Sequence, residues 1–316
     1  MGWRCLRRAC RYPGRGELGL DISVVIACYN GAATLGETLE ALTAQQAPVA
    51  WEIVLADNGS TDASAALFAA HARRHPGVPM RAVAAPERGK SHALNAGIRA
   101  AAGRSLLFCD ADDAPAPGWL AAMAGALEDH AFVAARIDLD ALNPGWTSAY
   151  RGNAQAEGRL VALQHAPRCL VAGGGTFGFR REVFAAVGDF DPAFCYLEDT
   201  DYCVRAHLRG IALHLVTEAV MRVRCRAAPK GIYRQARNYA RYRALLRLRY
   251  APDAAPLRPG PCLRLTGRMV RLAAARLLRE VGVKPRDPLV LAQLNLRLGT
   301  AAGSLAGALA YRVSPA

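Results

Sequence analysis

Lysine is scarce in this 316-residue sequence: Lys90, Lys230 and Lys284 are the only ones among 40 basic residues. Beside so much alanine, the arginine excess is what GC-rich coding yields, so it is set aside as a functional signal. The nine cysteines include no C-x-x-C pair, which argues against a zinc module or a disulfide scaffold and for a reducing compartment. The first twenty residues are basic but lack an apolar segment, so no secretory leader is expected. Leu6 stands where a Met1-Gly2 myristoylation signal needs Ser or Thr. No run is long and apolar enough to span a bilayer; even LGTAAGSLAGALAY is confined between Arg297 and Arg312. No internal repeat is evident. The expected location is cytoplasmic, with peripheral contact at the inner face of the membrane as a further option.

What is present suits a folded domain with a sizeable core: 52% of residues are apolar and 21% charged. The net charge of +14 is unevenly spread. From Arg222 onward there are 20 Lys/Arg against Asp253, Glu280 and Asp287, a local balance of +17, which leaves −3 for residues 1–221. Such a basic segment seeks phosphate, on nucleic acid or at an anionic membrane surface.

The first half alternates strand-like and helix-like segments. Strands are expected at 22–27, 51–57, 80–85, 105–110 and 131–138. Helices are expected from Thr34, with Glu37 at capping-box spacing, to about Gln45, and over 62–75, 91–102 and 118–129. This alternation predicts an α/β fold with a doubly wound, mostly parallel sheet, which puts ligands beyond the carboxyl ends of its strands. Residues 139–171 read as irregular. A basic, aromatic helix is expected near 233–250, then a Pro-rich stretch, then amphipathic Arg- and Leu-bearing helices over 263–281 and 289–312.

Polar residues cluster at those strand ends. SLLFCDADD runs an apolar strand into Asp110, Asp112 and Asp113. Like charges so close repel unless a cation sits among them, and a D-x-D pair can hold a divalent ion that neutralises a diphosphate. A solvated acidic turn capping the next helix is the plainer alternative. Asp57, ending WEIVLAD, can accept hydrogen bonds from a base edge or a ribose hydroxyl. Lys90 lies in ERGKSH, ahead of a helix whose N-terminus suits phosphate. GGGTFG (Gly173, Gly174, Gly175 and onward) formally fits G-x-G-x-x-G, but GDFDPAF follows where a dinucleotide fold needs a strand; flexible backbone beside a substrate is the better reading. Glu198, Asp199 and Asp201 open a helix, where acids favour the dipole and a carboxylate facing a pocket can act as a general base.

In order, SVVIACYNGAATLGETLEAL, WEIVLADNGSTD, RGKSHALNAGIRAAAG, LLFCDADD, GGGTFGFRREVFAAVGDFD and LEDTDYCVRAHLRG resemble the family 2 inverting glycosyltransferases over roughly residues 21–215. The resemblance implies a GT-A fold, a nucleotide-diphosphate sugar donor (UDP-, dTDP- or GDP-linked) and a divalent metal, Mn2+ or Mg2+. It implies that Asp57 contacts the nucleoside, with Ala27, Tyr29 and Asn30 lining its pocket and Lys90 in the nucleotide-binding loop. Gly31 follows Asn30 where many relatives carry Glu. Asp110 and Asp112 match the metal-binding pair, Asp112 the more direct ligand. Asp199 matches the base that deprotonates the acceptor hydroxyl, on a polysaccharide, glycolipid or other cell-envelope glycoconjugate. Gly173, Gly174, Gly175 and Glu198 would touch substrate. No Q-x-x-R-W signature of processive synthases is present, so a single addition of a hexose or deoxyhexose is expected.

The expected organisation is a basic tail (1–20), a GT-A catalytic domain (21–221), a basic aromatic helical segment (222–251), a Pro-rich linker (252–262) and an amphipathic helical region (263–316). The last either contacts membrane, suiting a lipid-linked acceptor, or packs on the catalytic domain with Arg facing water. No nucleic-acid partner is expected. Two rival functions are a degenerate transferase serving as a basic binding module and an NAD(P)-dependent oxidoreductase.

Overall fold

The computed structural model describes residues 20–151, 154–163, 166–251, 258–313 and 315. The expected tail and 252–257 of the expected linker therefore lie outside the described residues, apart from Leu20. The chain forms β1 (Ile22–Cys28), α1 (Leu35–Thr43), β2 (Trp51–Asp57), α2 (Ser64–Arg74), β3 (Met80–Ala84), α3 (Lys90–Ala100), β4 (Ser105–Asp110), β5 (Ala114–Pro115), α4 (Trp119–Asp129) and β6 (Phe132–Asp138). Then follow α5 (Thr147–Arg151), β7 (Val161–Leu163), β8 (Ala166–Val171), a 3-10 turn (Gly174–Thr176), β9 (Phe177–Arg180), α6 (Arg181–Val187), α7 (Glu198–Leu208), β10 (Leu213–Arg222), α8 (Pro229–Tyr250), α9 (Pro259–Glu280) and α10 (Pro288–Tyr311).

Eight strands make one sheet in the order β3-β2-β1-β4-β9-β6-β10-β5, and β7 pairs with β8 separately. β1, β2, β3 and β4 run parallel, whereas β9 lies antiparallel between β4 and β6. β1 is apolar apart from Ser23, whose hydroxyl donates to the buried Glu52 carboxylate at 2.6 Å, because both its faces are covered. Val24 and Ile26 join Leu35, Leu39, Trp119 and Met123 on one side. Val25 joins Leu94, Ile98 and Phe108 on the other. That second core holds an aromatic cluster in which Phe190 stacks on Tyr202 at 4.4 Å and Phe179 on Tyr202 at 5.1 Å. Tyr202 thereby fixes the first turn of α7, the turn that carries Asp199.

Three local expectations change. Thr34 makes no side-chain cap to α1; its hydroxyl donates to Ala111 O at 3.0 Å, tying the helix start to the acidic loop. Pro259–Cys262 are not linker but the first turn of α9, where a missing proline N–H costs nothing. The segment read as irregular contains α5, β7 and the whole of β8.

α10 packs on α8 through glycines. A Cβ at Gly303 would stand 2.0 Å from Arg237 O, and one at Gly299 2.4 Å from Tyr233 O, so the two backbones touch. α9 has no buried residue among the described residues and exposes Leu263, Val270 and Leu277, with Val281 exposed just past its end. No described helix is long and apolar enough to cross a membrane.

Candidate active site

A cleft of about 800 Å³ opens at the carboxyl ends of β1 and β4. Ala27, Tyr29, Lys90, Asp110, Asp112, Gly173, Gly174, Gly175, Glu198 and Asp199 all line it, so residues more than 170 positions apart in sequence meet there.

The acidic cluster comes from the end of β4. One carboxylate oxygen from each of Asp110, Asp112 and Asp113 lies within 4.8 Å of the others. Burial, reinforced by the negative neighbours, pushes the Asp112 carboxyl up and Asp113 well above the usual carboxylate range. Three hard oxygen donors held at that cost fit a divalent cation such as Mg2+ or Mn2+. Asp113 is also tied down, accepting Arg224 N at 2.8 Å, while Arg226 approaches Asp112 at 3.5 Å.

Lys90, the first residue of α3, bridges two acids. Its Nζ lies 2.7 Å from Asp110 and 3.3 Å from Glu198. Burial works against this ammonium, but the two carboxylates outweigh it and hold its pKa well above the ordinary lysine value. Glu198 is pushed up to about 7 by burial, with Lys90 opposing and Asp199 adding to the rise.

Asp199 is held from both sides: its Oδ2 accepts Gly174 N at 2.8 Å and its Oδ1 accepts Thr200 N at 2.6 Å. Gly174 sits against it, where a Cβ would be 3.1 Å from Asp199 Cβ. The next residue, Gly175, lies against Asp110. Adjacent glycines thus contact the acidic cluster and the helix-start carboxylate. They lead through a 3-10 turn into an antiparallel strand, not from a parallel strand into a helix. The dinucleotide-fingerprint reading therefore has no geometry behind it.

Two expected nucleotide contacts, Asn30 and Asp57, are not among the lining residues. Asn30, in the left-handed conformation at φ 51°, accepts Thr61 N at 2.8 Å, and Asp57 accepts Ser60 N at 3.0 Å. Among the arginines that follow β10 and open α8, Arg224 and Arg226 line the cleft, whereas Arg234 does not.

Other residues escaped sequence reasoning. Buried Asn58 donates to Ala85 O and Glu87 O and accepts Gly89 N at 2.8 Å, shaping the loop that delivers Lys90. Buried Gln155 donates to Thr176 Oγ1 at 2.7 Å and accepts Gly173 N at 3.2 Å, holding the glycine turn. The Arg88 guanidinium lies 4.1 Å from the centre of the Tyr29 ring. Such isolated amides carry no sequence signal; only their partners give them away.

This architecture is that of the GT-A glycosyltransferases. The mannosyltransferase PcManGT from Pyrobaculum calidifontis, solved with GDP-Man and Mn2+, matches 90% of this chain and 87% of its own, with a TM-score of 0.61 at 21% identity. TarS residues 1–349 from S. aureus, solved with UDP-GlcNAc, match 92% of each chain with a TM-score of 0.52 at 15% identity. In sequence, residues 20–241 match the family described as "Glycosyltransferase like family 2", and the chain belongs to that family. The match runs past Arg222 into α8. The succinoglycan biosynthesis protein ExoO of Rhizobium meliloti (strain 1021) is 39% identical over 104 residues, 33% of this chain and 28% of ExoO. The chain spans between 28% and 34% of the length of the curated relatives it matches.

Proposed function

We propose that the protein transfers a sugar from a nucleoside-diphosphate donor to an acceptor hydroxyl, with inversion at the anomeric carbon. The observation that carries this reading is the Gly174–Gly175 step, which brackets the reaction between Asp199 and the acidic cluster. Asp112 and Asp110 would hold the divalent cation, Mn2+ or Mg2+. When bound, it supplies Lewis-acid stabilisation of the charge that develops on the departing diphosphate. Asp199 takes the acceptor proton as the hydroxyl oxygen bonds to the anomeric carbon, and the bond from that carbon to the diphosphate oxygen breaks on the opposite face. Lys90 adds positive charge beside Asp110. Ala27 and Tyr29 face the donor base, with Asn30 and Asp57 shaping the loops behind them. A GDP-mannose complex and a UDP-GlcNAc complex on the same fold support a nucleotide-sugar donor.

The assembled carboxylates speak against a degenerate binding module. Residues 21–221 form the proposed catalytic unit, and α8 to α10 an extension to it. Peripheral contact with an anionic membrane belongs to the same proposal: on α9 the exposed apolar residues Leu263, Val270 and Leu277 adjoin Arg264, Arg268 and Arg271. That would suit a lipid-linked glycan acceptor.

Calorimetry of UDP, dTDP and GDP in Mn2+ and in EDTA tests the reaction. One nucleotide should bind in Mn2+, and Asp112→Ala should weaken it far more in Mn2+ than in EDTA. Metal-independent binding, or equal effects in both conditions, would overturn the metal assignment. No binding by folded protein would overturn the reading itself.

A further inference from the structure

A second cavity, of about 350 Å³, lies between α8 and α10. Its apolar side is Ile232, Ala236 and Leu296. Gln235, Tyr239 and Arg243 line both this cavity and the main cleft, and so form the wall they share. The three are four residues apart along α8, a spacing that stacks side chains on one helix face. They stand beside the buried Ile232, Ala236 and Ala240 row.

Their partners, or lack of them, are informative. Around the cleft Lys90 pairs with Asp110 and Glu198, Arg224 with Glu37, and Arg226 with Asp112. Arg88 lies over the Tyr29 ring. Arg243 has no ion pair or hydrogen bond among the described residues, and neither does the Gln235 amide. Arg234, Arg237 and Arg241 on the same helix line neither cavity. Arg243 is therefore a cleft cation left over once the acidic cluster and Lys90 are accounted for. Tyr239 meets Tyr196 edge to face at 6.0 Å, giving the wall a flat aromatic element of the sort on which sugar rings pack.

We propose that Gln235, Tyr239 and Arg243 form an acceptor subsite, with Arg243 binding an oxyanion of the acceptor, a phosphate or a carboxylate. This rests on the proposed transfer reaction and names the acceptor class it uses. A planar guanidinium binds either oxyanion through two parallel N–H donors. The acceptor hydroxyl lies towards Asp199, and the body of the acceptor crosses the ladder into the second cavity.

Calorimetry with glycerol 3-phosphate, galacturonate and glycerol, each with and without saturating UDP–Mn2+ or GDP–Mn2+, tests the subsite. The nucleotide occupies the other phosphate-binding groups. Wild-type protein should bind glycerol 3-phosphate or galacturonate but not glycerol, and the anion that binds identifies the source. Arg243→Gln should weaken that binding by about tenfold or more, Arg243→Lys should restore part of it, and Arg241→Gln should leave it unchanged. None of these variants should alter Mn2+-dependent nucleotide binding. Binding of neither anion, or equal binding by Arg243→Gln, would overturn the subsite while leaving the transfer reading standing. Loss of nucleotide binding in the wild type would instead overturn the transfer reading, with the anion titration still deciding the subsite.

Discussion

Gly175 packs so closely on Asp110 that a methyl group in its place would stand 2.8 Å from the carboxyl carbon and 3.0 Å from the backbone nitrogen. The neighbour is strand backbone as much as side chain, so it has little freedom to yield. Gly175→Ala is expected to displace Asp110 and weaken Mn2+-dependent nucleotide binding by about tenfold or more, on the order of 1.4 kcal/mol. Binding measured in EDTA should change little. A Gly175→Ala protein with wild-type nucleotide affinity in Mn2+ would show that Asp110 is not needed where it stands.

Asp199→Asn keeps an oxygen that can accept from Gly174 N or Thr200 N but loses the ability to take a proton. Transfer should fall by about 10²- to 10⁴-fold, with nucleotide affinity retained. Measuring turnover and binding on the same sample separates the two; loss of both would contradict the assignment of the base.

Asp113→Asn should stabilise the metal-free protein. The folded-state pKa of Asp113 is raised, so the folded chain holds a proton that the unfolded chain releases, and stability falls as pH rises from the ordinary carboxylate range towards the raised value. Asn keeps the acceptor for Arg224 N and removes the buried charge. Melting in EDTA should show the variant a few degrees more stable at pH 7.5, the gap closing as pH falls to 4.5, while Mn2+-dependent nucleotide binding weakens. A wild type that melts higher than the variant at pH 7.5 would refute this.

Gly303→Val would drive a side chain into the Arg237 carbonyl. Overpacking of this kind costs about 1–3 kcal/mol or more. Hydrogen exchange should quicken across α8 and α10 while β1 to β4 stay protected; unchanged exchange in both helices would mean that they do not pack at their backbones.

Much of this was legible in sequence. Largely apolar runs over 22–27, 51–57 and 105–110 located β1, β2 and β4 closely, because strands covered on both faces are mostly apolar, the buried Ser23 and Glu52 that pair with each other being the exceptions. The D-x-D pair, Lys90 and the Glu198-Asp199 pair converge on one cleft. What was missed depends on tertiary partners. β10 escaped because a register shift between Val216 and Val220 breaks its alternation. β9, only four residues long, is a strand because β4 and β6 flank it. Thr34 looked like a helix cap, but its hydroxyl accepts from no helix N–H and instead donates to Ala111 O. Asn30 and Asp57 stand at the expected strand ends, yet their side chains brace the Ser60–Thr61 turn.

The antiparallel β9 also sets an order of events as the chain is made. β1 to β4 are complete once Asp110 has been synthesised, and they pair among themselves. The outer edge of β4 then stays open until Phe177–Arg180 emerge some seventy residues later and insert between it and β6. That insertion, which joins the two halves of the sheet before β10 is added at Leu213–Arg222, brings Gly175 to Asp110, and Gly174 meets Asp199 once α7 follows. The nascent protein carries its proposed nucleotide-binding half early but gains the geometry of its proposed reaction centre only when these late, long-range contacts are made.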